Sequence, residues 1–343
     1  MPKANSIVRN YSKLCFIYPK TWMGSDSFSK YRDFIINNYK IEKIINLGYG
    51  IFENATVSTV ITMFTKEKIN QHKILLYQSA RNVSGSIHFI EQENKLSYTQ
   101  INSKPQRLFS FTKAVNIKIK TKDLIELVDF SLGIKTSNDK KFITNKKNDD
   151  ETYPLLRGKN ISRYSYQWTN EYIWYKPKLM MKKVGAGPRR LEYFLQDKIL
   201  VQGICNSILR CTFDSNKYLV NDKVHLIFNP KKYSLKVILA ILNSKFLSYL
   251  SRAMYGNYLE IKINQLEMLP FPANIEINFE NKLNYLVDLR IGATDKLVTS
   301  IIENKIDLLV YKLYALTFEE VKIVDPEIED IISKDEYNRF MIE

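Results

Sequence analysis

Short apolar runs broken by polar turns dominate the first third of the chain. Leu14 to Tyr18 is such a run, closed by Pro19, and a polar turn leads on to Phe28–Tyr39, where Tyr31, Phe34, Ile35 and Asn38 recur at helical spacing. The pattern reads as strand, loop, helix. Ile41–Leu47 and Val57–Phe64, rich in Ile and Val and separated by the turn signals Gly48 and Gly50, read as two buried strands of the same α/β sheet. From Lys66 to about Lys118, pieces such as HKILLYQ and SIHFIEQ predict further strands joined by loops. The polar run Thr136–Glu151 marks a surface loop or boundary. Beyond it, Ser234–Tyr249 predicts a helix. Phe279–Leu316, apolar at three- and four-residue spacing with Pro326 after it, predicts a final helical region.

Composition narrows the class. With 343 residues, two domains are expected, and 45% hydrophobic and 13% aromatic residues describe a well-cored chain with no apolar run long enough to span a bilayer. The N-terminus, MPKANSIVRN, lacks the apolar stretch of a secretory signal, so a cytoplasmic location with no membrane partner is expected. Cys15, Cys205 and Cys211 are scattered and without nearby histidines, which argues against a disulfide framework or a zinc site. His72, His88 and His225 are isolated, and the Glu93-Asn94-Lys95 and Glu303-Asn304-Lys305 strings lack the upstream Pro-Asp partner a metal nuclease needs.

Charge adds the first functional direction. The net charge is +15, and it is unevenly spread: Arg157–Arg190 holds nine basic residues and one acid, Glu171, a net +8 in 34 residues. Tyr164, Tyr166, Trp168, Tyr172, Trp174 and Tyr175 interleave with those cations, so the stretch reads either as a nucleic-acid surface with flat faces for bases or as a solvated face over an aromatic core. Within it, MKKVGAGPRR (Met181–Arg190) matches neither G-x-x-x-x-G-K-[ST] nor G-x-G-x-x-G, and Pro188 removes an N–H donor, so a mononucleotide phosphate site is rejected. Lys182, Lys183, Arg189 and Arg190 suit the backbone of a duplex instead.

These residues carry a family resemblance. CFIYPKTWMGSDSFSKYRDFIINNYKIEKIINLGYGIFENATVSTVITMFTK resembles the later part of the catalytic domain of TaqI-like adenine-N6 DNA methyltransferases. LGIKTSNDKKFI, PLLRGKNISRY, KPKLMMKKVGAGPRRLEYF, ILAILNSKFLSYL and YLEIKINQLEMLPFP resemble, in order, landmarks of that family's C-terminal specificity domain. ENKIDLLVYKLYALTFEEVKIVD resembles the helical tail of larger members, the type IIG restriction enzymes fused to such methyltransferases. The resemblance implies a partial Rossmann-like methyltransferase sheet over 1–118, an α+β TaqI-like specificity domain over 119–275 and a helical tail over 276–343.

It also implies roles. Phe52 matches the aromatic against which the flipped adenine is held, although a core phenylalanine fits the pattern equally well. Lys135 and Thr136 match the G-I-K-T turn, and Arg157, Lys159 and Asn160 with Gly158 match the R/T-G-x-N turn; both turns face DNA in this reading, and the second is alternatively a purely structural turn. Tyr255, Asn257 and Tyr258 match the loop that approaches the emptied base position. The family's glycine-rich S-adenosylmethionine turn and its N-P-P-Y motif do not occur, and Asn229-Pro230-Lys231-Lys232-Tyr233 comes too late in the chain to stand for the latter. The reading is therefore a DNA target-recognition component of a restriction-modification system. It has no cofactor or catalytic residues of its own, partners with double-stranded DNA, and needs a separate chain or missing N-terminal segment for the S-adenosylmethionine half. Leu14–Tyr18 would then form an open, apolar sheet edge. The rival reading is a protein-interaction or remnant subunit that docks through its helical tail.

Overall fold

The β-branched runs of the N-terminal third form the strands expected of them. The computed structural model describes every residue except 1, 49–50, 53–57, 69–71, 82–86, 93–94, 103–106, 108, 110–114, 116, 257 and 341–343. In it, β1 (Lys13–Pro19), β2 (Lys40–Gly48) and β3 (Thr59–Thr65) share one sheet. β3 lies between the other two and is antiparallel to both, with Ile61 facing Ile17 on one side and Ile45 on the other. β1 and β2 therefore run parallel, and α1 (Ser29–Asn38) is the crossover that parallel strands require. β4 (Lys73–Arg81) adds on parallel to β2, and β5 (Ile87–Glu91) antiparallel to β4. The order β1-β3-β2-β4-β5 leaves β1 at one end, and its outer edge is unpaired among the described residues.

The chain divides into two compact units, Met1–Ala114 with Arg252–Tyr258, and Val115–Ser251 with Leu259–Glu343. The core of the first unit gathers Trp22, Ile35, Tyr39, Ile44, Val60, Phe64, Leu76 and Phe109. Each such side chain withdrawn from water contributes roughly 1.5–3 kcal/mol. α1 differs from its sequence pattern in one respect. Its inward face is Arg32, Ile35 and Ile36, while Tyr31 and Phe34 are only partly buried. Arg32 takes an interior position because its Nη1 donates to the carbonyls of Trp22 (2.8 Å) and Ser25 (2.7 Å), fixing the turn that links β1 to α1. Tyr98 ties the helix exit to β2: its hydroxyl donates to Tyr39 O and accepts from Ile41 N, both at 2.9 Å.

The second unit is mixed α/β with several small sheets. One antiparallel sheet joins β6 (Asp129–Leu132), β10 (Lys198–Gln202), β11 (Cys211–Asp214) and β13 (Val224–Phe228) in the order β11-β10-β13-β6. The other joins β7 (Ile143–Thr144), β8 (Thr152–Leu156), β9 (Tyr172–Trp174) and β12 (Leu219–Val220) in the order β12-β8-β9-β7. β10 and β11 place Lys198 opposite Asp214, and the two form a fully buried ion pair of 2.6 Å. Lys198 also donates to Phe194 O at 2.6 Å, which offsets part of the cost of desolvating its ammonium.

The apolar run from Ser234 does not make one helix. α2 (Leu235–Asn243), capped by Ser234, which accepts from Val237 N, ends where Ser244 turns extended (φ −64°, ψ 149°), and α3 (Lys245–Tyr255) begins there. Ser244 causes the break. Its hydroxyl donates to Ile241 O and accepts from Leu247 N, ending one helix and capping the next. The C-terminal region is α4 (Ile277–Gly292) and α5 (Lys296–Leu313), separated at Asp295, whose carboxylate accepts from Leu297 N and Val298 N. α6 (Phe318–Val324) and α7 (Lys334–Arg339) follow, both with capping boxes. Among the described residues no helix is long and apolar enough to cross a membrane.

Candidate nucleic-acid interface

Two hydrogen-bond links join three separated sequence motifs within the second unit. Lys135 and Gly187 exchange backbone hydrogen bonds of 3.0 and 2.8 Å, an antiparallel bridge that docks the Met181–Arg190 loop on the G-I-K-T turn. Asp139 makes the other link. One of its carboxylate oxygens accepts from the Thr136 hydroxyl (2.5 Å) and the other from Arg157 Nη1 (3.1 Å).

Side-chain exposure sorts the predicted contacts within these motifs. Lys135, Lys159, Lys182, Lys183, Arg189 and Arg190 are exposed. Thr136 is buried at 3% exposure with its hydroxyl committed to Asp139, so it holds the turn rather than facing a ligand. Asn160 is also buried, and its side-chain oxygen accepts from Arg157 N at 2.7 Å, the geometry of a structural turn. Arg157 is clamped between Glu171 (Nε, 2.8 Å) and Asp139. Its partial burial works against the charge, but the two carboxylates outweigh this and hold the guanidinium pKa up. Glu171, the lone acid of the basic stretch, thus shares with Asp139 the neutralising of Arg157.

Other charges of the stretch are also spent internally. Arg163 pairs with Glu303 (2.9 Å) and Lys176 with Glu151. Lys159, Lys178, Lys182, Lys183 and Arg189 form no ion pair among the described residues, and Arg190 has a loose one, 3.8 Å to the exposed Glu192. Five of the six interleaved aromatics lie in or against buried structure. Ile173 and Tyr175 belong to the core, Tyr166, Trp168 and Trp174 pack against it, and Tyr164 is buried beneath the Arg163 and Arg290 guanidinia. Of the two readings of those rings, the aromatic core is the one built, because β8 and β9 need a covered face.

The loop itself is firmly held. The Tyr175 hydroxyl donates to Arg189 O at 2.6 Å, and the Lys183 and Ala186 amides close turns onto Met180 O (3.0 Å) and Lys183 O (3.2 Å). Gly185 has φ +80°, a left-handed conformation that glycine adopts without steric cost.

In the first unit Phe52 lies just beyond β2 and is 48% exposed, so it is not a core residue. Tyr255 is 8% exposed, Tyr258 is half-buried, and Asn257 lies outside the described residues. At the turn between β1 and α1, Gly24 serves close packing: a Cβ there would meet Tyr255 O at 2.5 Å. The Asn229–Tyr233 string is likewise engaged, with Asn229 Nδ2 donating to Asp129 (2.6 Å) and the Tyr233 hydroxyl to Ala273 O (2.9 Å). Among the described residues, no cluster of His, Cys, Asp or Glu could hold a metal ion.

Comparison with known proteins follows the same two segments. Residues 153–271 match the TaqI-like C-terminal specificity domain, and residues 1–52 match the Eco57I restriction-modification methylase. No curated protein matches the sequence. Among solved structures, the type IIL restriction-modification enzyme MmeI, solved in complex with DNA, superposes with a TM-score of 0.64 at 11% identity, over 99% of this chain and 52% of that one. The type IIG restriction endonuclease BpuSI gives 0.39 at 14% identity, over 94% of this chain and 48% of that one. The chain thus spans about half the length of these solved relatives. In sequence it resembles the restriction-modification methylases over residues 1–52 and the TaqI-like specificity domain over 153–271.

Proposed function

We propose that this chain is the DNA target-recognition component of an adenine-N6 methyltransferase in a restriction-modification system. The observation that carries the reading is the Lys135–Gly187 backbone bridge, which sets the exposed Lys135 beside the loop bearing the exposed Lys182, Lys183, Arg189 and Arg190, within a unit similar to a specificity domain. Such an arrangement has the exposed cations and fixed backbone that phosphate contacts require. Lys159 extends the basic surface, and Arg157, Thr136 and Asn160 shape it from beneath. The β1–α1–β2 crossover with antiparallel β3 between is the closing portion of a methyltransferase sheet in this reading. Phe52, exposed beyond β2, receives the extruded adenine, and the stretch ending at Tyr258 approaches the emptied position, with the buried Tyr255 supporting it from within. The free edge of β1 is where the S-adenosylmethionine-binding half, a separate chain or a preceding segment, continues the sheet.

Duplex binding across a salt series tests this. The chain is expected to lose affinity steeply with salt, and the Lys182, Lys183, Arg189, Arg190 alanine variant to bind more weakly with a slope reduced by roughly one per lost phosphate contact. An unchanged slope in that variant removes the loop from the interface. A second reading, docking through the helical tail without specific DNA binding, draws on the exposed Tyr285, Leu289, Leu297 and Ile301 of α4 and α5. It would be favoured if neither protein bound DNA while a protein partner was retained.

A further inference from the structure

The apex of the basic loop is apolar, and the fold does not use it. Val184 is 96% exposed and Met181 61%, the two lying on either side of Lys182 and Lys183. The Ala186 amide donates to Lys183 O, closing a four-residue turn, and φ +80° at Gly185 is the third-position value of a type II turn. Val184 therefore occupies the second position, at the tip.

A single exposed apolar side chain is ordinary on a protein surface. This one differs in its mounting. The turn is tied to Met180 on one flank, and on the other it is pinned by the Lys135–Gly187 bridge and by the Tyr175 hydroxyl on Arg189 O. Four cations, Lys182, Lys183, Arg189 and Arg190, stand within six residues of the tip along the chain. A rigid apolar point between phosphate-binding cations has the composition of the wedges that part a base step and bend a duplex.

We propose that Val184, backed by Met181, enters the base stack of duplex DNA, while the flanking Lys and Arg hold the phosphates on either side of the opened step. The inference rests on the DNA-recognition reading and adds to it a mode of readout. Opening a step costs least at pyrimidine–purine junctions, so the wedge contributes specificity through deformability, without hydrogen bonds to base edges. The loop's shape is set before binding, and little conformational entropy remains to be lost there.

The test uses the full chain and a duplex recovered from a random pool by its affinity for that chain, with 2-aminopurine placed at successive purine positions. One step should give a several-fold fluorescence rise on binding. A Met181→Ala, Val184→Ala variant, altered only at exposed positions, should abolish that rise and bind about tenfold more weakly, with its salt slope unchanged. With the rise at the extruded adenine set aside, a variant that keeps the remaining rise, or a duplex with no other responsive position, overturns the wedge while leaving DNA recognition standing. So does an affinity that depends on thymine methyl groups, revealed by uracil substitution, without any fluorescence change, since that places the tip against a groove edge. Failure to recover any duplex overturns the recognition reading itself, and the wedge with it.

Discussion

One buried carboxyl ties the stability of this protein to pH. Asp307 on α5 is 2% exposed; one of its oxygens accepts from Lys245 N at 2.8 Å and the other has no partner. Burial pushes its pKa up to about 6, against the opposing pull of Arg163 and the Lys245 amide. The folded protein therefore keeps this proton to a higher pH than the unfolded chain, whose carboxyl titrates near 4. The stability gained from it is complete below about pH 4 and is lost as pH rises through 6. Asp307→Asn keeps the acceptor for Lys245 and removes the titration. In urea melts between pH 4 and 7, the stability of the wild type relative to this variant should fall by up to about 3 kcal/mol. A constant difference would place the proton elsewhere.

At the level of elements, the loop owes its shape to contacts made far from it in sequence. Tyr175→Phe removes only the hydroxyl that holds Arg189 O, a bond with a net contribution of about 1 kcal/mol. The variant should melt close to the wild type and bind DNA several-fold more weakly at an unchanged salt slope, because every cation remains. Undiminished affinity would mean that the clamp does not position the loop. None of this was legible in MKKVGAGPRR alone, since the Lys135 bridge and the Tyr175 clamp are tertiary facts. The β1-to-β3 strands were legible, because Ile and Val runs between turn residues leave few alternatives. The break at Ser244 was hidden by continuous apolar spacing on both sides of it, and only the serine's local hydrogen bonds decide it. The inward turn of Trp168 and Trp174 was hidden too: the face a ring takes depends on which strand pairs with its own, and sequence spacing does not supply that.

For the molecule as a whole, the net charge of +15 favours fast, salt-sensitive encounter with polyanions, whatever the final contacts. Methyl transfer is another matter. The glycine-rich S-adenosylmethionine turn and the N-P-P-Y motif of the adenine methyltransferases do not occur in the sequence. Incubated with duplex DNA and labelled S-adenosylmethionine, the chain alone is expected to transfer no label; incorporation above a no-protein blank would contradict that division of labour.

The unpaired outer edge of β1 also bears on how the isolated chain behaves as a colloid. Lys13 at one end and Pro19 at the other are the residue types that discourage stray strand pairing, yet between them stand the exposed Cys15 and Ile17. Two copies meeting there would offer each other matching rows of amides and carbonyls. Such encounters scale with the square of concentration, so dilution and a reducing buffer preserve a monodisperse sample better than cooling does.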